Sequence, residues 1–118
     1  MHEFSLADDI LRIVLATAVE HQLQSVAQVK LQVGRLSGVS TEALEYAWGF
    51  LRDGEQVTAQ AELEITHIDG SGHCTACGYS GAVTEPLRIC PSCGATALCF
   101  TRGEEFMLTQ ISGEPRIP

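Results

Sequence analysis

The chain has few basic residues, and this scarcity limits what it can bind. Its 118 residues include seven Lys and Arg, of which only Lys30 is a lysine, against fifteen Asp and Glu. The formal net charge is therefore -8, and the basic residues form no cluster. Nucleic acid is bound chiefly through neutralisation of its phosphates, so this composition argues against a nucleic-acid partner. An acidic composition fits a protein partner, a metal cation or solubility alone.

Long hydrophobic runs and an export signal are also missing from the sequence. No stretch approaches the roughly 20 apolar residues that a membrane-spanning helix requires. Residues 1–9 are acidic and lack the basic start of a secretory signal peptide. We therefore expect a cytoplasmic protein that does not associate with membranes.

The motifs of common enzymes are absent as well. The sequence contains no phosphate-binding loop and no nucleophile accompanied by a base. Glu62 and Glu64 alternate with apolar residues, which is typical of a solvated strand face and not of a catalytic carboxylate pair. We therefore expect a protein that is not an enzyme.

The chain does contain two matched cysteine pairs, separated by twelve residues. Two cysteines with two residues between them can turn both sulfurs onto one ion, and two such knuckles complete the four-thiolate site that structural zinc prefers. Gly78 and Gly94 follow the pairs, where a tight knuckle favours glycine. The predicted zinc ligands are Cys74, Cys77, Cys90 and Cys93.

Two other interpretations of these cysteines stay open at this point. Disulfides would suit a secreted protein but would leave Cys99 unpaired. Iron is the second, because the Cys-Pro-x-Cys-Gly pattern of Cys90 also occurs in rubredoxin-like sites. The alternative functions are accordingly a rubredoxin-like electron carrier and a zinc-ribbon interaction module. We expect Cys99 to be a small buried side chain and His73 to lie in a solvated loop.

Hydrophobic periodicity predicts two helices and three strands outside the cysteine module. The first helix is expected to be capped by Ser5 and to end near His21 or Gln22, and the second to be capped by Ser40 or Thr41 with Trp48 in the core. Strands are expected over residues 29–33, 61–66 and 104–111. The tail, residues 112–118, is expected to be frayed.

The strand expected over residues 104–111 is too short to be stable alone, so we expect it to pair with the two strands that precede the cysteines. This pairing would make the cysteine segment an insertion within one domain. Residues 1–67 are expected to form an α+β domain with two helices and a three-stranded sheet, completed by the strand in residues 104–118. Residues 68–103 are expected to form an inserted, zinc-ribbon-like four-cysteine domain. This insert is rich in glycine and poor in large apolar residues, so zinc must supply much of its folding free energy.

The N-terminus offers a second possible metal site. A free α-amine, the His2 imidazole and neighbouring backbone amides can surround an ion with a plane of nitrogens, an arrangement that suits nickel(II) or copper(II). Taken alone, a histidine at position 2 is more often a surface residue at a mobile terminus.

Several segments together resemble one known family. They are Met1-His2-Glu3-Phe4-Ser5-Leu6-Ala7, Gly34-Arg35-Leu36-Ser37-Gly38-Val39, Glu42-Ala43-Leu44, Ala61-Glu62-Leu63-Glu64-Ile65 and the paired cysteines. In this order they resemble the HypA/HybF family of hydrogenase nickel-incorporation metallochaperones. The resemblance covers essentially the whole chain.

The resemblance implies a nickel carrier with a structural zinc ion. It implies nickel ligation by the Met1 amine, the His2 side chain and the backbone nitrogens of His2 and Glu3, with Glu3 also in partner contact. The cargo would pass, with a GTPase partner, to the large subunit of a [NiFe] hydrogenase, and in some organisms the family also serves urease maturation. Many relatives carry aspartate where this chain has Ser40, so an acidic contact from that loop is not expected here.

Overall fold

The structure is a computed structural model that describes residues 2–117. It contains two helices, one 3-10 turn and six strands arranged as two three-stranded sheets, with strand orders β2-β1-β6 and β4-β3-β5. The helices are α1 (Glu3–Glu20) and α2 (Thr41–Leu51), followed by the 3-10 turn Arg52–Gly54. The strands are β1 (Leu23–Gly34), β2 (Glu62–Ile68), β3 (Ser71–Cys74), β4 (Ser80–Ala82), β5 (Leu98–Arg102) and β6 (Phe106–Pro115). The predicted α+β fold is confirmed.

The chain forms two compact units. Among the described residues, unit 1 comprises residues 2–31, 40–65 and 108–117, and unit 2 comprises residues 32–39 and 66–107. Between His2 and Ile117, no helix combines the length and the apolar character needed to cross a membrane.

Unit 1 is built around two packed helices. Helix α1 buries one stripe at helical spacing, and α2 packs against it. Trp48 of α2 is 2% exposed, and its indole Nε1 donates a 2.9 Å hydrogen bond to the Ala61 carbonyl, so the prediction of a core role is confirmed. The buried residues of α1 are Glu3, Ala7, Ile10, Leu11, Val14 and Ala18.

Helix α1 begins two residues earlier than its predicted cap. The Ser5 prediction is wrong: His2 occupies the N-cap position, its carbonyl accepts from the Leu6 amide at 2.9 Å, and Ser5 is exposed in the first turn. Glu3 supplies the physical reason, since a buried carboxylate in the first turn stabilises a helix N-terminus. The alternative Ser40 cap of α2 is confirmed, with its hydroxyl accepting from the Ala43 amide at 3.2 Å.

The predicted fraying of the tail is wrong for most of its length. Strand β6 continues to Pro115, and beyond it the Arg116 amide donates a 2.7 Å hydrogen bond to the Gln22 carbonyl. Gln22 lies just after α1, which ends at Glu20, slightly before the predicted end, and its φ of 55° turns the chain into β1. Backbone pairing across a long stretch of sequence therefore orders residues whose composition suggested mobility.

Unit 2 has a small core that includes metal-ligand candidates. Its buried cluster consists of Leu36, Cys74, Val83, Cys90 and Leu98. The segment carrying Leu36 is held by a 2.7 Å hydrogen bond from its amide to the Gly103 carbonyl. Backbones approach closely here, because a Cβ placed on Gly34 would lie 1.8 Å from that same carbonyl oxygen. Only glycine fits at this position without movement of the chain.

Candidate metal centres

The structure brings the four predicted zinc ligands together. Their sulfur atoms all lie within 4.8 Å of one another, with Sγ–Sγ distances of 3.8 Å for Cys74–Cys93 and 3.6 Å for Cys77–Cys90. Sulfurs about 2.3 Å from a central zinc ion would lie about 3.8 Å apart in a tetrahedron. The spacing therefore fits one tetrahedral metal ion held by four thiolates.

Each cysteine pair forms the same tight knuckle. In the first, the Gly78 amide donates to the Cys74 carbonyl at 2.9 Å, and in the second the Gly94 amide donates to the Cys90 carbonyl at 3.0 Å. The two glycines have φ values of 82° and 77°, in the left-handed region that side chains disfavour. The local sequence alone therefore shapes each half of the site.

Backbone amides point at the sulfurs and favour the thiolate form. Cys90 Sγ accepts from the amides of Ser92 at 3.3 Å and Cys93 at 3.4 Å. Desolvation raises the pKa of Cys90. The hydrogen bonds from these amides and from the neighbouring thiols outweigh that effect and lower the pKa to about 6. For Cys77, a hydrogen bond from the Tyr79 backbone lowers the pKa, whereas desolvation and the three surrounding thiols raise it to about 12. Ionisation of Cys90 is therefore favoured whereas that of Cys77 is opposed by its neighbours, and a cation bound among the sulfurs would favour the thiolate form.

The first cysteine of each knuckle lies inside unit 2 and the second faces solvent. Cys74 and Cys90 are buried, whereas Cys77 and Cys93 are exposed. None of the cysteines forms a disulfide, so the disulfide arrangement is not the one observed. A site closed by four protein ligands leaves no coordination position for a substrate.

The remaining cysteine and the neighbouring histidine differ from expectation. Cys99 is exposed in β5 and not buried, so that prediction is wrong. His73 is exposed as predicted, but it lies in strand β3 instead of a loop, directly opposite Cys99 in the antiparallel register. Alternation of a strand's side chains explains both results, since neighbours of the buried Cys74 and Leu98 must point outwards.

The predicted nickel ligands lie at the start of α1, with Met1 outside the described residues. His2 is exposed and makes no side-chain cap hydrogen bond. Glu3 is 8% exposed, and its Oε2 accepts a 3.0 Å hydrogen bond from the Ser40 amide. Hydrogen bonds from the backbone amides of Ser40 and of Glu3 itself hold the pKa of Glu3 below its usual value, against desolvation and with a smaller attraction from His2. The imidazole therefore faces solvent, whereas the carboxylate is engaged by the Ser40 amide.

A cleft of about 580 Å³ lies beside this buried carboxylate. It is lined by Glu3, Phe4, Ser40, Glu42, Ala43 and Tyr46. The sequence predicts an apolar role for Phe4 but no cleft beside it, and the signal for one is a large aromatic on the polar face of each helix, Phe4 on α1 and Tyr46 on α2. The sequence predicts Ser40 as a helix cap, and only the structure shows that its amide is also the donor that holds the Glu3 carboxylate.

Two helices, two three-stranded sheets and a cluster of four thiols define a small α+β metal-binding protein. Residues 1–113 match the family described as "Hydrogenase/urease nickel incorporation, metallochaperone, hypA". The chain belongs to this family, the HypA nickel-incorporation metallochaperones of hydrogenase maturation, and the resemblance recognised from the sequence is confirmed.

Individual relatives agree with this family membership. The chain is 38% identical over 111 residues to the hydrogenase maturation factor HypA of Rhizobium leguminosarum bv. viciae, covering 94% of this chain and 97% of the relative. It is 35% identical over 114 residues to that of Dechloromonas aromatica (strain RCB), covering 97% and 100%. The fold is similar to the solution structure of the Ni metallochaperone HypA from Helicobacter pylori, with a TM-score of 0.69, 20% identity, and coverage of 98% of this chain and 100% of that chain.

Proposed function

We propose that this protein binds nickel(II) at its N-terminus and delivers it, with a GTPase partner, to the large subunit of a [NiFe] hydrogenase in the cytoplasm. Membership of a nickel-incorporation family supports the role, and the geometry at the start of α1 supports the location. The observation that carries the proposal is the exposed His2 side chain at the N-cap, followed directly by the first amides of the helix. The same family description names urease, which is a second possible recipient.

The proposed ligands are four nitrogens: the Met1 amine, the His2 imidazole, and the backbone nitrogens of His2 and Glu3. The first amides of an α-helix have no carbonyl partner within the helix, so their use as ligands breaks no hydrogen bond of the helical ladder. The Glu3 amide would give up its hydrogen bond to the Glu3 carboxylate, which keeps the one from Ser40. Nickel(II) favours a planar nitrogen set, which allows selection by geometry as well as affinity. Amine and imidazole bind metals only when unprotonated, so acid should release the cargo.

Glu3 contributes its backbone nitrogen in this proposal, while its carboxylate has a positioning role. The carboxylate is buried and accepts from the Ser40 amide, an arrangement that fixes where α1 begins. Fixing that point also fixes the direction of the His2 backbone that precedes it. We propose that the side chain of Glu3 acts on nickel through this positioning and through contact with the partner.

We propose that zinc occupies the four-cysteine site and holds unit 2 together. The sulfur spacing fits a tetrahedral ion, and Cys74 and Cys90 are two of the five residues in the buried cluster of unit 2. So small a core requires a staple for independent stability. Unit 1 is then the nickel domain, and unit 2 is the zinc domain.

An electron-carrier role for the same four thiols would leave α1, α2 and the N-terminal segment without a function. The family match spans both the N-terminus and the cysteine module, which supports the carrier. Colour and redox activity distinguish the two roles. An iron-loaded site is coloured and undergoes reversible one-electron oxidation and reduction, whereas zinc has no redox chemistry.

A nickel titration of the zinc-loaded protein tests the proposal. The protein must have a native, untagged N-terminus, and binding is followed by absorption spectroscopy in the wild type, His2→Ala and His21→Ala. His21 is a matched control, because it is exposed at the other end of α1. We expect one equivalent of nickel with the weak visible band of a planar nitrogen site in the wild type and in His21→Ala, and loss of that band in His2→Ala. Equal binding by all three proteins would place nickel elsewhere.

A further inference from the structure

Unit 1 exposes three aromatic side chains close to the start of α1. Phe4, Tyr46 and Phe50 are 48%, 73% and 69% exposed, and we call them the aromatic patch. The rings of Phe4 and Phe50 pack edge to face, with centroids 6.1 Å apart at 65°. Tyr46 and Phe50 are four residues apart on α2, so they lie on the same face of the helix. Clustered exposed aromatics are unusual on a surface that faces only water.

The helix that carries most of this patch is acidic: α2 contains no basic residue, and Arg52, which follows it, is bonded to the Ala61 carbonyl. Glu42 and Glu45 are exposed on α2, and Asp53 follows in the 3-10 turn. Within residues 2–117, none of these three acids takes part in an ion pair. On α1, one turn beyond Phe4, Asp8 is paired with Arg12 at 3.0 Å and contributes little net charge. The patch is thus an apolar centre with an acidic rim.

We propose that the aromatic patch is a docking surface for a protein partner that presents an apolar anchor ringed by Lys or Arg. Aromatic side chains in a desolvated centre supply most of the affinity of an interface, and complementary charge at the rim supplies orientation and speed of association. The cleft of about 580 Å³ lined by Phe4 and Tyr46 adjoins the patch and can receive one such anchor.

The negative charge beside the aromatic patch favours a basic protein over a second copy of the chain, an anionic membrane or a nucleic acid. A second copy of the chain would bring the acidic rims of Glu42, Glu45 and Asp53 together, and like charges in an interface oppose association. An anionic membrane or a nucleic acid would be repelled by the same carboxylates. A basic protein surface is the occupant that benefits from both the aromatics and the acids.

This surface is separate from the proposed nickel ligands. Tyr46 and Phe50 lie on α2 and contribute no nitrogen to the N-terminal site. The inference therefore holds whether or not nickel binds at His2, and its failure would leave the nickel titration unaffected. A docking surface beside the N-terminus would hold a recipient within reach of the cargo.

The test uses a helical peptide of about 18 residues made of leucine and lysine, with the leucines on one face. Its affinity for the zinc-loaded protein is measured by titration calorimetry, and its position by amide chemical-shift changes. We expect shifts centred on α2 and Phe4, and binding at least about tenfold weaker for Tyr46→Ala and Phe50→Ala. Val19→Ala is the matched control, because Val19 is 77% exposed elsewhere on α1, and its affinity should match the wild type.

A second comparison separates the acidic rim from the overall charge of the protein. The double variant Glu42→Gln/Glu45→Gln should bind more weakly and with a shallower salt dependence than Glu20→Gln/Glu62→Gln, which loses the same charge from other exposed positions. Equal affinities in the two double variants would overturn the proposal. So would unchanged affinity in Tyr46→Ala and Phe50→Ala, equal binding of a leucine–glutamate peptide, or a concentration-dependent dimer of the wild type that Phe50→Ala abolishes.

Discussion

The backbone amide of Ser40 donates a 3.0 Å hydrogen bond to the buried carboxylate of Glu3. The same serine uses its hydroxyl to cap α2 through the Ala43 amide, so one residue joins the starts of both helices. Ser40 therefore acts through its backbone as a donor to an acid supplied by α1. This pairing makes the conformation of the proposed nickel-binding segment depend on α2.

Glu3→Gln should lower stability in a pH-dependent way. Amide donors hold the pKa of Glu3 below its ordinary value of 4.5, so the charged carboxylate stabilises the fold above that value. The stabilisation is lost as the pH falls through the lower pKa of the folded state. Urea unfolding should show a difference between wild type and Glu3→Gln at pH 7 that shrinks towards pH 3, while any effect of acid on the cysteine site is common to both proteins.

Glu45→Gln is the control for that comparison, because Glu45 is exposed on α2. We expect it to unfold like the wild type at both pH values. A Glu3→Gln effect of the same size at pH 7 and pH 3 would contradict the role assigned to the charge.

Gly34→Ala should destabilise the protein strongly, whereas Gly49→Ala should not. A Cβ on Gly34 would lie 1.8 Å from the Gly103 carbonyl oxygen, and backbone must move to admit it, at a cost of about 1–3 kcal/mol or more. A Cβ on Gly49, within α2, meets nothing within 4 Å, and alanine there should stabilise by about 0.5–1 kcal/mol. Chemical denaturation of both variants checks the contrast, and a neutral Gly34→Ala would show that the close approach is not maintained.

Removal of metal should unfold unit 2 selectively. Hydrogen exchange is the measurement: the amides of Cys74 and Cys90, bonded to the Tyr79 and Ala95 carbonyls, should lose protection after treatment with a strong chelator. The Val26 amide of unit 1, bonded to the Val57 carbonyl, should stay protected. Retained protection at both cysteine amides would refute a structural role for the metal.

Substitution of single cysteines should distinguish ligands from the exposed fifth thiol. Cys93→Ser removes one of the four clustered sulfurs and should lower the zinc content of the purified protein, since the ion loses one thiolate. Cys99→Ser changes a solvent-facing strand residue outside the cluster and should leave zinc content unchanged. Elemental analysis of both variants provides the answer, and a zinc loss in Cys99→Ser would require a different ligand set.

Trp48→Phe should destabilise unit 1 by about 1–3 kcal/mol. The variant loses buried ring volume and the indole donor to the Ala61 carbonyl, although Arg52 Nη1 also donates to that carbonyl at 2.7 Å. Tyr46→Phe alters an aromatic of the same helix that is 73% exposed, and should change stability by less than about 0.5 kcal/mol. Thermal unfolding followed by circular dichroism compares the two, and equal effects would contradict the burial assigned to Trp48.

The sequence by itself determined the features that depend on neighbouring residues. The knuckles at Cys74 and Cys90 need only a short spacing and a following glycine, and the apolar stripe of α1 follows from helical periodicity. The Ser40 cap is equally local, because its hydroxyl bonds an amide three residues away. Such short-range signals predicted the α+β fold and the four-cysteine cluster.

Only the tertiary structure decided the features that join distant residues. Glu3 and Ser40 are 37 positions apart, and their hydrogen bond explains why α1 starts before Ser5. Residues 32–39 belong to unit 2 because the amide of Leu36 pairs with a carbonyl far along the chain, at Gly103. Composition cannot show which backbone groups will meet after the chain has folded, because pairing depends on the positions of whole strands and helices in space.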